Sequence, residues 1–177
     1  MISRMAEPHR VVTDRLEVRH PTEADRPRFV ELFRDADFMV FSGDAMSGSE
    51  AERRFDRMLA RCAELSFAKQ PIVERSSGVV IGYTGVDRIE FEGRRWLEWG
   101  YRLVAEARGR GYATEASAAL LGVAAQEYRG TILGIIDPEN GRSHNVIRKL
   151  GFAYWKRAPV QGDMCDLYRW GSLTPEA

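Results

Sequence analysis

The stretch RLVAEARGRGYATEA, Arg102 to Ala116, sets Gly109 and Gly111 between a strand-like apolar pattern and an apolar pattern of helical period. A strand that passes into a helix through two glycines constrains the fold more than any other feature of this chain. Missing side chains let main-chain N–H groups approach a ligand closely, and the first turn of a helix carries N–H groups with no intrahelical acceptor. The ligand expected there is an anion, favoured by roughly 0.3–1 kcal/mol, and by up to about 2 kcal/mol in partly buried geometry. Arg108 and Arg110 add charge-assisted donors suited to phosphate. A plain glycine turn has the same local signature, so the surrounding pattern has to discriminate. Neither G-x-x-x-x-G-K-[ST] nor G-x-G-x-x-G is present, which excludes a P-loop and a Rossmann site.

Upstream, RLEVRH alternates Leu16 and Val18 and reads as a first strand, with order expected from about Thr13. Thr22 and Asp25 have the spacing of a reciprocal cap ahead of Phe29, Val30, Leu32 and Phe33, and Ser49 and Glu52 repeat it ahead of Phe55, Met58 and Leu59. Each pair predicts a helix. From Phe67 to Leu103, short apolar runs separated by SSG and by a charged stretch containing Gly93 predict three antiparallel strands. Ala116, Leu120, Val123 and Ala124 predict a helix over 114–128, followed by a buried strand, TILGII. DPEN then leads into a short helix over 141–150 stopped by Gly151, and FAYW and MCDLYRW form two strands joined through Gly162 and Asp163. The resulting fold is α/β (α+β): a mixed, mostly antiparallel central sheet of about seven strands with helices on both faces. At 177 residues the chain suits one core, expected over 13–172, with a lead-in at 1–12 and a tail at 173–177.

Lys plus Arg and Asp plus Glu both number 26, so no net field gathers phosphate backbone, and nucleic acid is not an expected partner. No apolar run approaches the roughly 20 residues of a membrane span and no leader pattern opens the chain, which points to a cytoplasmic protein. Cys62 and Cys165 lack the spacing of a disulfide framework or zinc site, and no metal is expected.

Several motifs agree in order. Arg108, Gly111 and Ala113 satisfy the pattern Arg or Gln, two residues, Gly, one residue, Gly or Ala; TDRLEVRHPTEAD precedes it, and DPEN with Asn140 and Ser143, then KLGF, follow. From about Val12 to Trp170 the chain resembles the GNAT superfamily of N-acetyltransferases, with GYATEA close to the form found in its ribosomal-protein N-terminal acetyltransferase branch. The resemblance implies a single GNAT-like domain that takes acetyl-CoA, or another acyl-CoA, as co-substrate. By the same resemblance the pyrophosphate lies on Arg108, Gly109, Arg110, Gly111, Tyr112 and Ala113. Leu103 and Val104 would offer main-chain groups to the pantetheine amides, as an added strand does. Asn140 would contact the pantetheine arm, with Ser143 near the thioester sulfur. Read physically, Asn140 and Ser143 also have the spacing of a helix N-cap and first turn, and the two roles are compatible.

Direct acyl transfer needs an amine lone pair, an activated carbonyl and a route for a proton. An α-amino group is about one-tenth neutral at pH 7, whereas a lysine is neutral in about one molecule per 2,500, a penalty of roughly 4.6 kcal/mol. A peptide N-terminus therefore asks less of a base, although a small-molecule amine fits the same chemistry. Glu98, in WLEWGY, occupies a position where related acetyltransferases often carry a carboxylate; its alternative role is an outward polar residue of an alternating strand. Glu115 already has a helix-dipole explanation and is expected to be structural. His144 is expected to be an exposed helical residue, Tyr128, Tyr154 and Tyr168 packing residues, and Cys165 a buried thiol. Trp96, Trp99, Phe38, Met39 and Phe41 are candidates for the acceptor pocket, with core packing as the alternative. A homodimer sharing its substrate groove is consistent with the resemblance. The competing reading is a catalytically silent acyl-CoA binding or sensor module.

Overall fold

A computed structural model describes residues 10–40 and 45–171. Alternating residues form β1 (Arg10–Val12) and β2 (Leu16–Arg19), which pair antiparallel, with Leu16 and Val18 fully buried. The expected lead-in therefore yields its last three residues to the sheet, making eight strands among the described residues where about seven were expected. Thr22 and Asp25 do form the reciprocal cap, on a single 3-10 turn that runs into α1 (Arg26–Arg34) with Pro27 in its first turn. Asp35 then caps a short helix, α2 (Ala36–Met39), accepting from the amides of Asp37 and Phe38.

The helix α3 (Gly48–Glu64) is capped by Ser47 and Glu50, not by Ser49 and Glu52. Both pairs have the S-x-x-E spacing. The earlier start leaves Glu52 free to pair with Arg26 at 2.8 Å, while Ala51, Phe55, Met58 and Cys62 are buried at helical intervals.

The three expected strands are β3 (Gln70–Glu74), β4 (Val80–Phe91) and β5 (Arg94–Leu103). Glu92 and Gly93, at φ 51° and 71°, make the tight turn between the last two, a geometry whose twist matches the flanking strands. After α4 (Tyr112–Glu127) come β6 (Thr131–Ile136), α5 (Gly141–Lys149), β7 (Ala153–Val160) and β8 (Asp163–Gly171). The last hairpin turns on Gln161 and Gly162, at φ 52° and 102°, one residue earlier than expected.

The sheet order is β1-β2-β3-β4-β5-β6-β8-β7, and β5 with β6 is its parallel pair. Helices cover both faces. On one, α4 and α5 pack Leu120, Ala124 and Ile147 against Leu97, Trp99 and Ile132. On the other, α1 and α3 contribute Phe29, Phe33 and Phe55 around Val80 and Tyr83. Among the described residues no helix is long and apolar enough to cross a membrane.

Candidate active site

The parallel pairing of β5 with β6 covers Leu97–Trp99 against Ile132–Gly134, yet β5 continues to Leu103 and β6 to Ile136. Beyond Trp99 the two strands separate, and a cleft of about 490 Å3 opens there. Side chains alternate along β5, so Trp99, Tyr101 and Leu103 face α4 and α5 while Glu98, Gly100 and Arg102 face α1 and α3. Gly100 has no side chain to fill the crossing, and a Cβ there would meet Glu98 Oε1 and Lys69 Cε at 3.3 Å.

Main-chain groups follow the same alternation. The amide of Val104 donates to Ile81 O at 2.9 Å, which directs the amides and carbonyls of Arg102 and Gly100 to β4 and those of Tyr101 and Leu103 toward the gap. The Val104 carbonyl accepts from the Ala107 amide at 3.0 Å. The Val104 amide is therefore committed to β4, and its carbonyl accepts one bond at the following turn. Leu103 turns its amide to the gap, and its carbonyl accepts from Arg108 Nε at 3.0 Å. Tyr101, not anticipated from the sequence, supplies the second open position.

The glycine loop behaves as its composition implies. Gly109 and Gly111 take φ 73° and 80°, and Gly111 is the N-cap of α4. Among the described residues no main-chain acceptor meets the amides from Gly109 to Thr114, and Glu115 N–H is the first to close onto Gly111 O, at 3.0 Å. Gly109, Gly111, Tyr112, Ala113 and Thr114 line the cleft.

The two arginines also have partners within the chain. Arg108 lines the cleft, but its guanidinium is engaged by Leu103 O, by Asp37 O at 3.0 Å and by the Asp37 carboxylate at 3.0 Å, which pins α2 to the loop. Arg110 lies away from the cleft lining, paired with Glu74 at 3.3 Å and stacked on Tyr112. Both cations thus already have partners that shape the loop. Glu115 ties the β1–β2 turn to α4, accepting from Thr13 Oγ1 at 2.6 Å and Arg15 Nε at 2.7 Å.

Asn140 and Ser143 line the cleft from α5, and the Asn140 side chain caps the helix by accepting from the Ser143 amide at 3.1 Å. Ser143 Oγ lies 3.2 Å from Tyr101 Oη. Burial pushes the Tyr101 phenol above its ordinary value, against the opposing bond to Ser143.

Across the sheet, Glu98 Oε2 accepts from Lys69 Nζ at 3.2 Å, and both side chains are about one-fifth exposed, at 21% and 18%. Burial opposes the charge on Lys69, yet Glu98 and the neighbouring Tyr83 and Asp87 outweigh it and hold the ammonium above its ordinary value. In the sequence FAKQPIVE reads simply as a strand, and Lys69 carries no further signal there.

Other candidates fall elsewhere. His144 is buried rather than exposed, with Nδ1 2.8 Å from Tyr168 Oη and Nε2 3.7 Å from Asp166, because α5 packs that face onto β8. Tyr128, Tyr154 and Tyr168 are absent from the cleft lining, and Cys165 is half-buried with its thiol pushed up by burial and by nearby acids. Phe38 and Trp99 line the cleft. Met39 is core, Trp96 packs on Trp155, and Phe41 lies outside the described residues.

A family model described as an acetyltransferase (GNAT) domain matches residues 15–153. An uncharacterised Bacillus subtilis protein, YkkB, is 29% identical over 150 residues, covering 83% of this chain and 87% of its own. An acetyltransferase structure from Agrobacterium tumefaciens superposes with a TM-score of 0.79 at 23% identity, over 97% of this chain and 99% of that one. RimL, a ribosomal L7/L12 alpha-N-protein acetyltransferase solved with coenzyme A, gives a TM-score of 0.73 at 19% identity, over 93% and 97%. Glycine loop, splayed strands and matched domain agree: this chain belongs to the GNAT acetyltransferase family.

Proposed function

We propose that this protein transfers the acetyl group of acetyl-CoA to a primary amine by direct attack. One observation carries the reading. A single cleft passes the sheet at Gly100, joining the open amides of α4 and the Tyr101–Ser143 pair on one side to the Glu98–Lys69 pair on the other.

The amides from Gly109 to Thr114 suit a pyrophosphate, which needs many converging donors and tolerates few side chains. Tyr101 and Leu103 offer strand-like main-chain groups to the amides of the pantetheine arm, with Asn140 alongside. The amine lone pair forms the new C–N bond at the thioester carbonyl, and the C–S bond breaks. The proton lost by nitrogen passes to Glu98, directly or through water, and the departing thiolate takes one from Tyr101, which Ser143 orients. Lys69 holds the Glu98 carboxylate in position.

Similarity to RimL supports an α-amine as acceptor, as does the smaller cost of neutralising one. The test is an acceptor screen with acetyl-CoA and longer acyl-CoAs, reading CoA release and product mass. Acetylated amine is the expected product; cofactor binding without transfer to any amine leaves the binding-module reading in its place.

A further inference from the structure

The acceptor half of the cleft is cationic, although the chain as a whole carries no net charge. On the α1–α3 side it is lined by Arg54, Lys69 and Arg102, and among the described residues Glu98 is the carboxylate of that wall. Lys69 is matched by Glu98. Arg54 lies over the Phe33 ring, 5.0 Å from its centroid, and reaches the Tyr83 hydroxyl at 3.4 Å. Arg102 donates to Phe38 O at 2.9 Å and approaches the Met39 sulfur at 3.8 Å. Among the described residues, neither guanidinium has a carboxylate within ion-pair distance.

The wall also has depth. A recess of about 70 Å3 shares Arg54, Lys69 and Tyr83 with the main cleft and adds Arg57 and Arg61, which follow Arg54 on one face of α3. Arg61 is compensated by Glu64 at 3.2 Å and Asp87 at 3.4 Å. Tyr83, 2% exposed, records the field: burial pushes its phenol up, yet Arg102, Lys69 and Arg54 together hold it below its ordinary value. Guanidinium groups partly removed from water, with no carboxylate partner among the described residues, favour a ligand that brings an anion.

We infer that the acceptor is a small primary amine carrying an anionic group, carboxylate or phosphate, a few bonds from its nitrogen, with Arg54 and Arg102 holding the anion while the nitrogen faces Glu98. The buried Tyr83 and the Glu98-bound Lys69 line the floor, and a cleft of about 490 Å3 shared with the cofactor is of a size for a small molecule. This inference rests on the acetyl-transfer reading but, in place of the protein α-amine that similarity to RimL suggests, it assigns the acceptor to small anionic amines.

The experiment compares matched amines with acetyl-CoA: β-alanine against its amide for the carboxylate, and phosphoethanolamine against ethanolamine for the phosphate. At least one anionic member is expected to exceed its neutral partner by about tenfold in kcat/KM, the preference shrinking as salt is raised. The better arm identifies the anion. In Arg54→Gln the preference should collapse through the KM of the amine, and Arg54→Lys should restore part of it. Equal rates within each pair, or transfer to a ribosomal-protein N-terminal peptide but to no small anionic amine, overturn the inference and leave acetyl transfer standing. No transfer to any amine overturns both, and a CoA-induced rise in Tm then shows whether the cofactor half survives.

Discussion

Tyr101 Oη and Ser143 Oγ lie 3.2 Å apart, joining a strand to a helix at the point where β5 leaves β6. Either hydroxyl can donate, so the pair can relay a proton to a departing thiolate. Tyr101→Phe should lower kcat by roughly ten- to a hundredfold with little change in the KM for acetyl-CoA. Steady-state kinetics with both substrates varied checks this, and an unchanged kcat removes Tyr101 from the reaction. The acting form is the protonated phenol, and burial raises its pKa above the ordinary value near 10. The fall in activity caused by its ionisation therefore belongs above about pH 10, and the pH–rate profile should show no such limb at neutral pH.

Glu98→Gln should reduce turnover by roughly a hundredfold or more while CoA affinity stays the same. The amide keeps a hydrogen-bond acceptor for Lys69 but takes no proton from an ammonium. Calorimetric titration with CoA beside a rate measurement separates the two effects; full activity across the pH range rejects Glu98 as the base.

At Gly111, φ of 80° makes any side chain strained, and a β-branched one most of all. Gly111→Val is expected to cost about 1–3 kcal/mol of stability and to weaken CoA binding by disturbing the amides at the start of α4. Urea unfolding gives the first quantity and titration with CoA the second. A folded variant with unaltered affinity takes the loop out of the cofactor site.

Arg108→Lys should lower Tm and loosen α2, despite retaining the charge. One guanidinium reaches Leu103 O, Asp37 O and the Asp37 carboxylate together, which an ammonium on a flexible stem does not reproduce. Hydrogen exchange over residues 36–39 reports the change, and exchange equal to that of the parent protein would contradict it.

Asp25 is buried and receives two bonds from Arg19, at 2.8 and 2.7 Å, and one from the Thr22 amide at 2.8 Å. Burial alone raises its pKa, but these bonds and the charge of Arg19 prevail and lower it. Because the folded-state carboxyl titrates below its unfolded value, its contribution is complete above about pH 4 and is lost as pH falls through the folded value. Asp25→Asn should cost about 3 kcal/mol at pH 7 and narrow the stability difference between pH 7 and pH 3. Urea midpoints at the two pH values measure both effects.

Much of the fold was legible because its signals are local. The caps at Thr22 and Asn140, the glycine turn at 109–111 and the alternation of β4 and β5 depend on residues within a few positions of one another. Where two signals of equal quality overlapped, as with Ser47–Glu50 and Ser49–Glu52, burial of the α3 face chose between them. The short strand β1 escaped notice because three residues carry too little period to register.

By itself the sequence determined a strand-to-helix glycine turn with open amides, a capped α5 bearing Ser143, and a mixed sheet between helices. Each follows from backbone sterics and hydrogen-bond chemistry that neighbouring residues settle among themselves. The tertiary structure alone decided which polar groups were left over. It gave Arg108 to Asp37, 71 positions away, Val104 to Ile81, and Lys69 to Glu98, and it brought Tyr101 to Ser143. Such pairings result from competition among all the groups that folding brings within reach, and separation along the chain carries no record of that competition.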